Sequence, residues 1–294
     1  MIIFSYIRKN KNNHLCWLLF AVLAFAGNSV VCRLALYSEH IDPISFTSLR
    51  LSSGAVVLFL LAYFKQAHSH LDDNVIKPKH WFSTACLCLY AFLFAYAYLQ
   101  LPSGTGALIL FASVQLTLLL FSFLAGQKFA RNEWIGMGLA TTGMLLVTLP
   151  NSQSADLGYV FLMALAGIAW GGYTLVGRAS QTPIFDSKVS FILSVPVAMG
   201  VFAMVMLLTD SVSWQPIGIG YALISGVLCS GLGYYVWYKV LPTISASQTI
   251  AAQLSVPVVA AIGGLLFIGE PITLLFILAC AFVSAGVYLV FLRI

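Results

Sequence analysis

The sequence predicts an all-helical polytopic membrane protein, and three observations support this fold class. Apolar runs of about twenty residues, the length that crosses a bilayer as a helix, recur ten times along the chain. Hydrophobic residues make up 61% of the composition and charged residues only 8%, which is more apolar surface than a soluble chain of 294 residues hides from water. Lys and Arg gather on alternate connections between the runs.

The predicted spans are helices, because the bilayer core requires each crossing segment to satisfy its own backbone hydrogen bonds. They form two sets of five. A tail at 1–14 precedes the first set, a connection at 150–156 separates the sets, and the second set occupies 157–294. The first set, in the region 15–149, comprises 15–36, 44–64, 81–100, 104–125 and 133–149. The second set comprises 157–177, 187–208, 218–238, 246–268 and 272–292.

Basic residues are distributed unevenly between the two sides of the membrane. With Met1 in the cytoplasm, the connections on that side hold twelve Lys and Arg, and the opposite connections hold none. This positive-inside pattern predicts that both termini are cytoplasmic. The other two arginines, Arg33 and Arg50, lie within or at the outer end of spans.

The two sets of spans are similar in sequence. The segment from Phe25 to Arg33 in the first span aligns with Trp170 to Arg178 in the sixth, with aromatic, small, Gly and Arg residues at the same spacing. Because each set has an odd number of spans, the second copy enters the membrane from the opposite side. This predicts an inverted-topology repeat, which is characteristic of secondary transporters. Further segments recur in the same order: Leu101-Pro102 with Leu241-Pro242, Ser113-Val114-Gln115 with Ser255-Val256-Pro257, Gly126-Gln127 with Gly269-Glu270, and 143–147 with 286–290.

These segments resemble the EamA type of the drug/metabolite transporter superfamily, which has two five-helix EamA repeats. The resemblance covers nearly the whole chain, although Gln115 stands where a Pro is usual and Gln127 where a Glu is usual. It implies a ten-helix basket around a central cavity in a bacterial inner membrane, commonly an exporter of metabolites or amphipathic compounds. It does not name a solute, because such families carry diverse ones. The residues that carry it include Ala24 to Arg33, Asp42-Pro43, Phe46, Arg50, Ala169-Trp170-Gly171, Pro242, Pro257 and Gly269-Glu270-Pro271.

Polar and aromatic residues inside the spans are the candidates for solute contact. An intramembrane charge costs several kcal/mol unless it faces a cavity, water or a partner. Arg50 therefore meets an anionic or carbonyl group of the solute, or it supports neighbouring helices by bonding their carbonyls. Glutamine amides offer neutral donors and acceptors to a solute or to another helix, and aromatic rings suit apolar, aromatic or cationic solutes. The predicted contacts are Arg50, Gln115, Gln248, Gln253, Tyr96, Trp170 and Tyr173.

A second group of residues is assigned to structure or gating. Arginines near span ends can extend their long stems to the membrane interface. Glycines in the matching repeat segments permit close helix approach and weaken the helix where it could bend. A proline inside a span frees a backbone carbonyl. A glutamate between the last two spans is interpreted as a helix-terminus residue at the outer face, with a proton carrier as the alternative. The group comprises Arg33, Arg178, Gly27, Gly171, Pro257 and Glu270.

The sequence favours a transporter over an enzyme. All five histidines lie in tails, loops or at span edges, no Asp falls inside a predicted span, and neither HExxH nor a Ser/His arrangement is present. A channel or receptor is the alternative, which saturable and exchange-sensitive flux would separate from a carrier. Because Arg50 does not deprotonate, exchange or uniport is favoured over proton coupling.

The expected partners are a small-molecule solute and the lipid bilayer. No cofactor, metal site or nucleic-acid partner is expected, since the charged residues are few and none of the spacings matches a phosphate-binding loop or a metal site. A homodimer is allowed, and a monomer is sufficient for transport.

Overall fold

The computed structural model describes residues 2–65, 76–126, 130–148, 157–209, 212–243 and 246–291. Throughout these residues the chain is helical and without strands, apart from an isolated antiparallel bridge between Ile41 and Trp214. In chain order the helices are α1 (Ile2–Tyr37), α2 (Pro43–Lys65), α3 (Pro78–Ala97), α4 (Ser103–Leu124), α5 (Arg131–Thr148), α6 (Leu157–Ala179), α7 (Pro183–Leu208), α8 (Pro216–Val240), α9 (Ala246–Ile268) and α10 (Leu274–Phe291). The middle of α8, Ser225–Leu232, is π-helical.

Seven helices in the described part of the chain are long and apolar enough to cross a bilayer. They are α1 (over Cys16–Tyr37), α2, α3, α4, α6, α7 and α8. Shorter apolar helices lie in α9 and α10, at Ala252–Ile268 and Leu274–Gly286. The prediction of a helical multi-pass membrane protein is therefore confirmed, and seven of the predicted spans meet the criteria of length and composition.

Prolines start four of the helices. Pro43, Pro78, Pro183 and Pro216 are the first residues of α2, α3, α7 and α8. Proline suits this position because its fixed φ fits the first turn and its missing N–H would have no helical partner there. The start of α7 at Pro183 precedes the predicted start of the span and places Asp186 in its first turn. The expectation that no Asp falls inside a span is therefore wrong.

The helices of the two halves pack with an approximate two-fold symmetry. If each helix of one half is replaced by its counterpart in the other half, the pair α3–α6 becomes α8–α1, and the pair α4–α6 becomes α9–α1. The helices of all four pairs are in contact. The same exchange leaves the pairs α2–α7, α4–α9 and α5–α10 unchanged, and the helices of these pairs are in contact as well. Most helix contacts therefore cross between the halves, so the interior of the bundle is built from both.

The pair of α5 and α10 shows the same symmetry at the level of single residues. A Cβ at Gly143 of α5 would lie 2.8 Å from the carbonyl oxygen of Ala279, and a Cβ at Gly286 of α10 would lie 2.5 Å from that of Gly136. Gly143 and Gly286 occupy matching positions in the two halves. Small residues at both points allow the two helices to approach closely, which is how helices associate in lipid.

Two connections at one end of the bundle are tied together. The side chain of Asp42 accepts hydrogen bonds from the backbone N–H groups of Ile44 and Ser45, which caps the start of α2. The backbone N–H of Asp42 also donates to the carbonyl of Ser213 at 2.9 Å, and the Ser213 N–H donates back to the Asp42 carboxylate at 3.2 Å. The connection before α2 and the connection before α8 are thereby joined.

Candidate solute-binding site

Aromatic rings from both halves form a cluster in the interior of the bundle. Trp170 of α6 stacks on Tyr173, with ring centroids 5.2 Å apart and planes 16° apart. It also packs on Tyr90 of α3 and on Tyr234 of α8 at 5.0 Å each. Phe25 of α1 closes the cluster against Trp170 and Tyr234, at 6.4 and 6.0 Å. These edge and stacked contacts join four helices around one indole ring, and each adds roughly 0.5–1.5 kcal/mol to the burial of the rings.

A small cavity lies inside this aromatic cluster. Its walls come from α1, α3, α4, α6 and α8, and Asn28 and Ser29 contribute polar lining. The centre of a water molecule can move within about 20 Å³ of this cavity, which is room for one or two waters. A solute of several heavy atoms does not fit in a space of this size. In this conformation the cavity therefore has room for water and not for a metabolite.

A network of buried polar side chains borders the cavity. Tyr90 accepts hydrogen bonds at its hydroxyl from Arg50 Nη2 at 3.1 Å and from Asn28 Nδ2 at 3.4 Å. The hydroxyl of Ser225 donates to Asn28 Oδ1 at 2.6 Å, and Arg50 Nε donates to the hydroxyl of Ser230 at 3.0 Å. The five residues come from α1, α2, α3 and the π-helical segment of α8. This polar network, like the aromatic cluster, is built by both halves.

Arg50 is a cation without a counter-ion in the described part of the structure. Only 1% of its surface is exposed, its Nη1 has no hydrogen-bond partner, and the described residues place no carboxylate within 4.0 Å of it. Its Cζ lies 5.2 Å from the ring centres of both Tyr90 and Phe94, so ring faces compensate part of the charge. The hydroxyl of Tyr234, which also lines the cavity, has no partner among the described residues either.

The two predicted glutamines of α4 and α9 are bonded to each other. Gln115 Nε2 donates to Gln253 Oε1 at 2.7 Å, and both side chains are buried. This is the interhelical hydrogen bond that was one of the two interpretations of these residues, and it leaves the other half of each amide for further bonding. The side chain of Gln248 lies outside the described residues.

A buried ion pair joins several helix ends at one end of the bundle. Arg33 Nε donates to Glu270 Oε1 at 3.1 Å, and Arg33 Nη1 donates to the carbonyls of Tyr98 and Leu99 at 3.0 and 2.7 Å. Glu270 Oε2 accepts the backbone N–H of Ser103 at 2.8 Å, where the positive end of the α4 dipole favours a carboxylate. We call these five residues the Arg33 cluster. It connects α1, the end of α3, the start of α4 and the link between α9 and α10.

A second ionic group lies at the opposite end of α3. Asp186 of α7 accepts from Lys79 Nζ at 2.5 Å and contacts His80 Nε2 at 2.9 Å. His80 Nδ1 accepts the backbone N–H of Lys77 at 3.0 Å, so the proton of a neutral His80 lies on Nε2 and is donated to Asp186. Lys79, His80 and Asp186 form the Asp186 cluster. It is separated from the Arg33 cluster by the length of α3, about 30 Å for a helix of twenty residues.

Two predicted residues lie apart from the aromatic cluster. Tyr96 is 37% exposed, because it stands two positions from the buried Phe94 on α3 and so points to another side of the helix. Arg178 is exposed at the end of α6, whereas its counterpart Arg33 is buried. Matching positions in the two halves therefore have different environments at the two ends of the bundle.

The predicted glycines and proline lie at helix contacts and within a helix. A Cβ at Gly171 would lie 2.8 Å from the Thr117 side chain, so α6 and α4 touch there. Gly27 is less constrained, since a Cβ would lie 3.6 Å from Cys229 Sγ. Pro257 lies inside α9, which continues on both sides of it.

Several residues of the site were not singled out from the sequence. Asn28 carried a usable signal, because an amide next to Gly27 inside a span is costly in lipid without a partner. Ser225 and Ser230 carried none, since serines are common in such helices and nothing in the sequence predicts a π-helical segment. The Asp186 cluster was missed because the start of α7 was placed too late.

The fold and the site define a class: a helical multi-pass membrane protein with a buried polar and aromatic site between two similar halves. The EamA-like transporter family matches residues 12–149 and residues 157–292. The chain therefore belongs to the EamA-like transporter family, with the family domain present twice. It is a membrane transporter and not an enzyme.

Individual relatives agree with this membership. An uncharacterized protein of Pseudomonas aeruginosa is 43% identical over 86% of this chain and 85% of its own length. The uncharacterized transporter YwfM of Bacillus subtilis is 26% identical over 85% of this chain and 84% of its own. A protein of Salmonella typhimurium named "Probable amino-acid metabolite efflux pump" is 23% identical over 64% of this chain and 67% of its own.

A crystal structure of another protein shares the fold. It superposes with a TM-score of 0.68 over 96% of this chain and 99% of that one, at 17% sequence identity.

Proposed function

We propose that this transporter has ten membrane-spanning helices in two inverted five-helix repeats, 15–149 and 157–294, and exports a small metabolite by alternating access. The symmetric packing of α1–α5 and α6–α10 supports the two repeats. An odd number of crossings in each repeat gives the halves opposite orientations, and two such halves can exchange conformations to open one face and close the other. The membrane is the bacterial inner membrane.

The distribution of charge supports an orientation with both termini in the cytoplasm. Twelve of the fourteen Lys and Arg then lie on cytoplasmic connections. In this orientation the Arg33 cluster faces the outside, and the Asp186 cluster lies at the cytoplasmic end of α3.

The observation that carries the mechanism is the small cavity between two ionic clusters. The cavity is too small for a metabolite, and the clusters close the bundle about 30 Å apart. Such an arrangement is an occluded state: opening either cluster would separate the halves on that side and enlarge the cavity toward it. The glycines Gly27 and Gly171 and the proline Pro257 lie on helices that would bend or slide in this motion.

The chemistry of the cavity supports a small amphipathic solute, amino-acid-like or aromatic. Trp170 lines the cavity and Tyr173 stacks on it, and Arg50 donates to the hydroxyl of Tyr90 on the cavity wall. Outside this lining, Gln115 and Gln253 offer amides on α4 and α9. The Salmonella relative is named for amino-acid metabolite efflux, which supports the same direction and solute class. Exchange or uniport fits the site, because Arg50 keeps its proton. A monomer contains the whole cavity, and a homodimer is compatible with it.

Counterflow in proteoliposomes tests the proposal. Vesicles holding the purified protein are preloaded with an unlabelled amino-acid-like or aromatic solute, and uptake of trace radiolabelled solute is followed. A carrier gives saturable, transient accumulation that depends on the preload, whereas a channel gives flux without accumulation. The absence of flux above empty vesicles for every solute tested would refute the proposal.

Topology is tested separately with reporter fusions at the two termini. Both fusions should report a cytoplasmic location. Opposite locations for the two termini would contradict an even number of spans.

A further inference from the structure

We infer that the transported solute is a small monocarboxylate with an apolar or aromatic body, and that Arg50 and Tyr234 bind its carboxylate. The inference names the solute class of the same site and rests on the proposed function. The proposed function names only an amphipathic solute, whereas this inference names the carboxylate of the solute and the two side chains that bind it.

The guanidinium of Arg50 has an unused face. Nε and Nη2 are fixed by Ser230 and Tyr90, and Nη1 has no partner among the described residues. A buried cation whose charge and N–H groups are incompletely paired is costly, more so inside a membrane protein. A carboxylate is the group that arginine binds best, through charge-assisted hydrogen bonds in the plane of the guanidinium. Arg50 stands behind Tyr90, which lines the cavity. A solute carboxylate that reached Nη1 would supply both the missing acceptor and the missing charge.

Tyr234 lines the cavity and provides a second donor. Its hydroxyl has no partner among the described residues although only 3% of the residue is exposed. Tyr234 and Tyr90 both line the cavity, and Tyr90 carries the hydroxyl to which Arg50 Nη2 donates. A carboxylate has two oxygens, so one can accept from the guanidinium while the other accepts from a phenol.

The rest of the cavity selects an apolar body with a single acid group. Trp170, Phe25 and Phe94 line it with ring faces and edges. Of the ten residues that line the cavity, none is acidic or basic. A second carboxylate on the solute would therefore be buried against rings without a counter-ion, which is strongly unfavourable. An alkyl or aryl group would bury its surface there instead.

A purely structural Arg50 is the competing explanation, and it makes a different prediction. If Arg50 only holds α2 against α3 and α8 through Tyr90 and Ser230, its loss destabilises the protein without changing which solutes are carried. If Arg50 receives a carboxylate, the protein distinguishes an acid from its amide, which has nearly the same shape and lacks the negative charge of the carboxylate.

Matched acid and amide pairs test the inference on the unmodified protein. In the counterflow assay, flux is measured for phenylacetate against phenylacetamide, L-phenylalanine against L-phenylalaninamide, and L-leucine against L-leucinamide. We expect at least one acid to be carried roughly tenfold or more faster than its amide, the size of a charge-assisted hydrogen bond. Equal flux of acids and amides, or flux of other solutes but of no acid in the panel, would overturn the inference and leave the proposed function standing. No flux for any solute would refute both.

Two variants test which side chains produce the preference for the acid over the amide. Arg50→Gln should reduce the ratio of acid to amide flux to within about twofold of unity, and Tyr234→Phe, which keeps the ring, should reduce it several-fold. Matched controls at exposed positions, Arg131→Gln and Tyr63→Phe, should leave the ratio unchanged. If Arg50→Gln does not fold, Tyr234→Phe and the unmodified protein still decide the question. A ratio unchanged in Tyr234→Phe would remove the hydroxyl from the site, and a ratio unchanged in Arg50→Gln would overturn the inference.

Discussion

Arg33 Nε lies 3.1 Å from Glu270 Oε1, and this ion pair bridges α1 and the link between α9 and α10 across the boundary between the two halves. The pair is nearly enclosed, with side-chain exposures of 8% and 12%. Breaking an enclosed pair by removing one charge is costlier than breaking a surface pair, because the other charge stays buried. The Arg33 cluster is therefore the strongest candidate for the closure of one face.

Glu270→Gln should open the Arg33 end of the bundle. Cys32, next to Arg33 on α1 and fully buried, is a native reporter for this opening. Its alkylation by a membrane-impermeant maleimide added outside intact cells, followed by peptide mass spectrometry, should become about tenfold faster or more, since a loss of ~1.4 kcal/mol in closure shifts an equilibrium tenfold. Glu39→Gln, an exposed acid at the same end, should have no effect. Unchanged labelling in Glu270→Gln would mean that the ion pair does not hold this face closed.

Asp186→Asn should change the labelling of Cys32 in the opposite direction. The substitution removes the charge that pairs with Lys79 and weakens the contact with His80. If the two ends open alternately, weakening the Asp186 cluster populates the state in which the Arg33 end is closed. The combination of Glu270→Gln and Asp186→Asn should therefore bring Cys32 labelling back toward the level of the unmodified protein. Labelling that rises further in the double variant would contradict alternating access.

The sequence predicts the positions of the helices well, but it predicts few of the side-chain contacts between them. Apolar runs and prolines are local signals, so the helices lie close to where the pattern places them. The predicted start of α7 was one turn too late, because Asp186 and Lys188 mark a polar segment that belongs to the helix. The site depends on contacts between distant residues. The hydrogen bond from Arg50 to Ser230 joins residues that are 180 positions apart, and Ser230 lies in a π-helical segment. Neither feature leaves a periodic pattern in the sequence.

The symmetry of the chain was a stronger guide to packing than to chemistry. Matching glycines such as Gly143 and Gly286 meet equivalent helices in both halves. In contrast, Arg33 is buried in an ion pair while Arg178 is exposed. A repeat constrains the backbone of both copies in the same way, but each side chain adapts to the neighbours that it meets in its own copy.

Replacing one glutamine of the Gln115–Gln253 pair should cost more than replacing both. Gln253→Leu leaves the Gln115 amide buried without its partner, a loss of about 1–3 kcal/mol for an unsatisfied polar group. The double replacement by Leu removes both polar groups and should recover part of that stability. Thermal unfolding of the purified protein in detergent, for the two single variants and the double variant, measures this coupling. Additive effects would show that the 2.7 Å bond contributes little.

If the glutamines also contact solute, their transport phenotype will separate from their stability. The conservative variant Gln253→Glu keeps an acceptor for Gln115 while adding a charge to a membrane interior. It should retain folding better than Gln253→Leu if pairing is the main role, and lose flux more strongly if the amide meets the solute. Flux that follows the melting temperature across all variants would assign the pair to structure alone.

Glycine at position 226 should be required for the contact between α2 and α8. A Cβ there would overlap Ser53 Oγ and lie 2.5 Å from the carbonyl oxygen of Arg50, so backbone as well as side chain would have to move. Overpacking of this kind costs roughly 1–3 kcal/mol or more, and the movement would displace Arg50 and Ser230 from their 3.0 Å bond. Gly226→Ala should therefore lower both the melting temperature in detergent and the flux. Gly220→Ala is the matched control on the same helix, because a Cβ at Gly220 meets nothing within 4 Å and alanine favours a helix by about 0.5–1 kcal/mol. If Gly226→Ala behaved like Gly220→Ala, the π-helical segment would be free to shift away from α2, and the polar network would not depend on the close approach of these two helices.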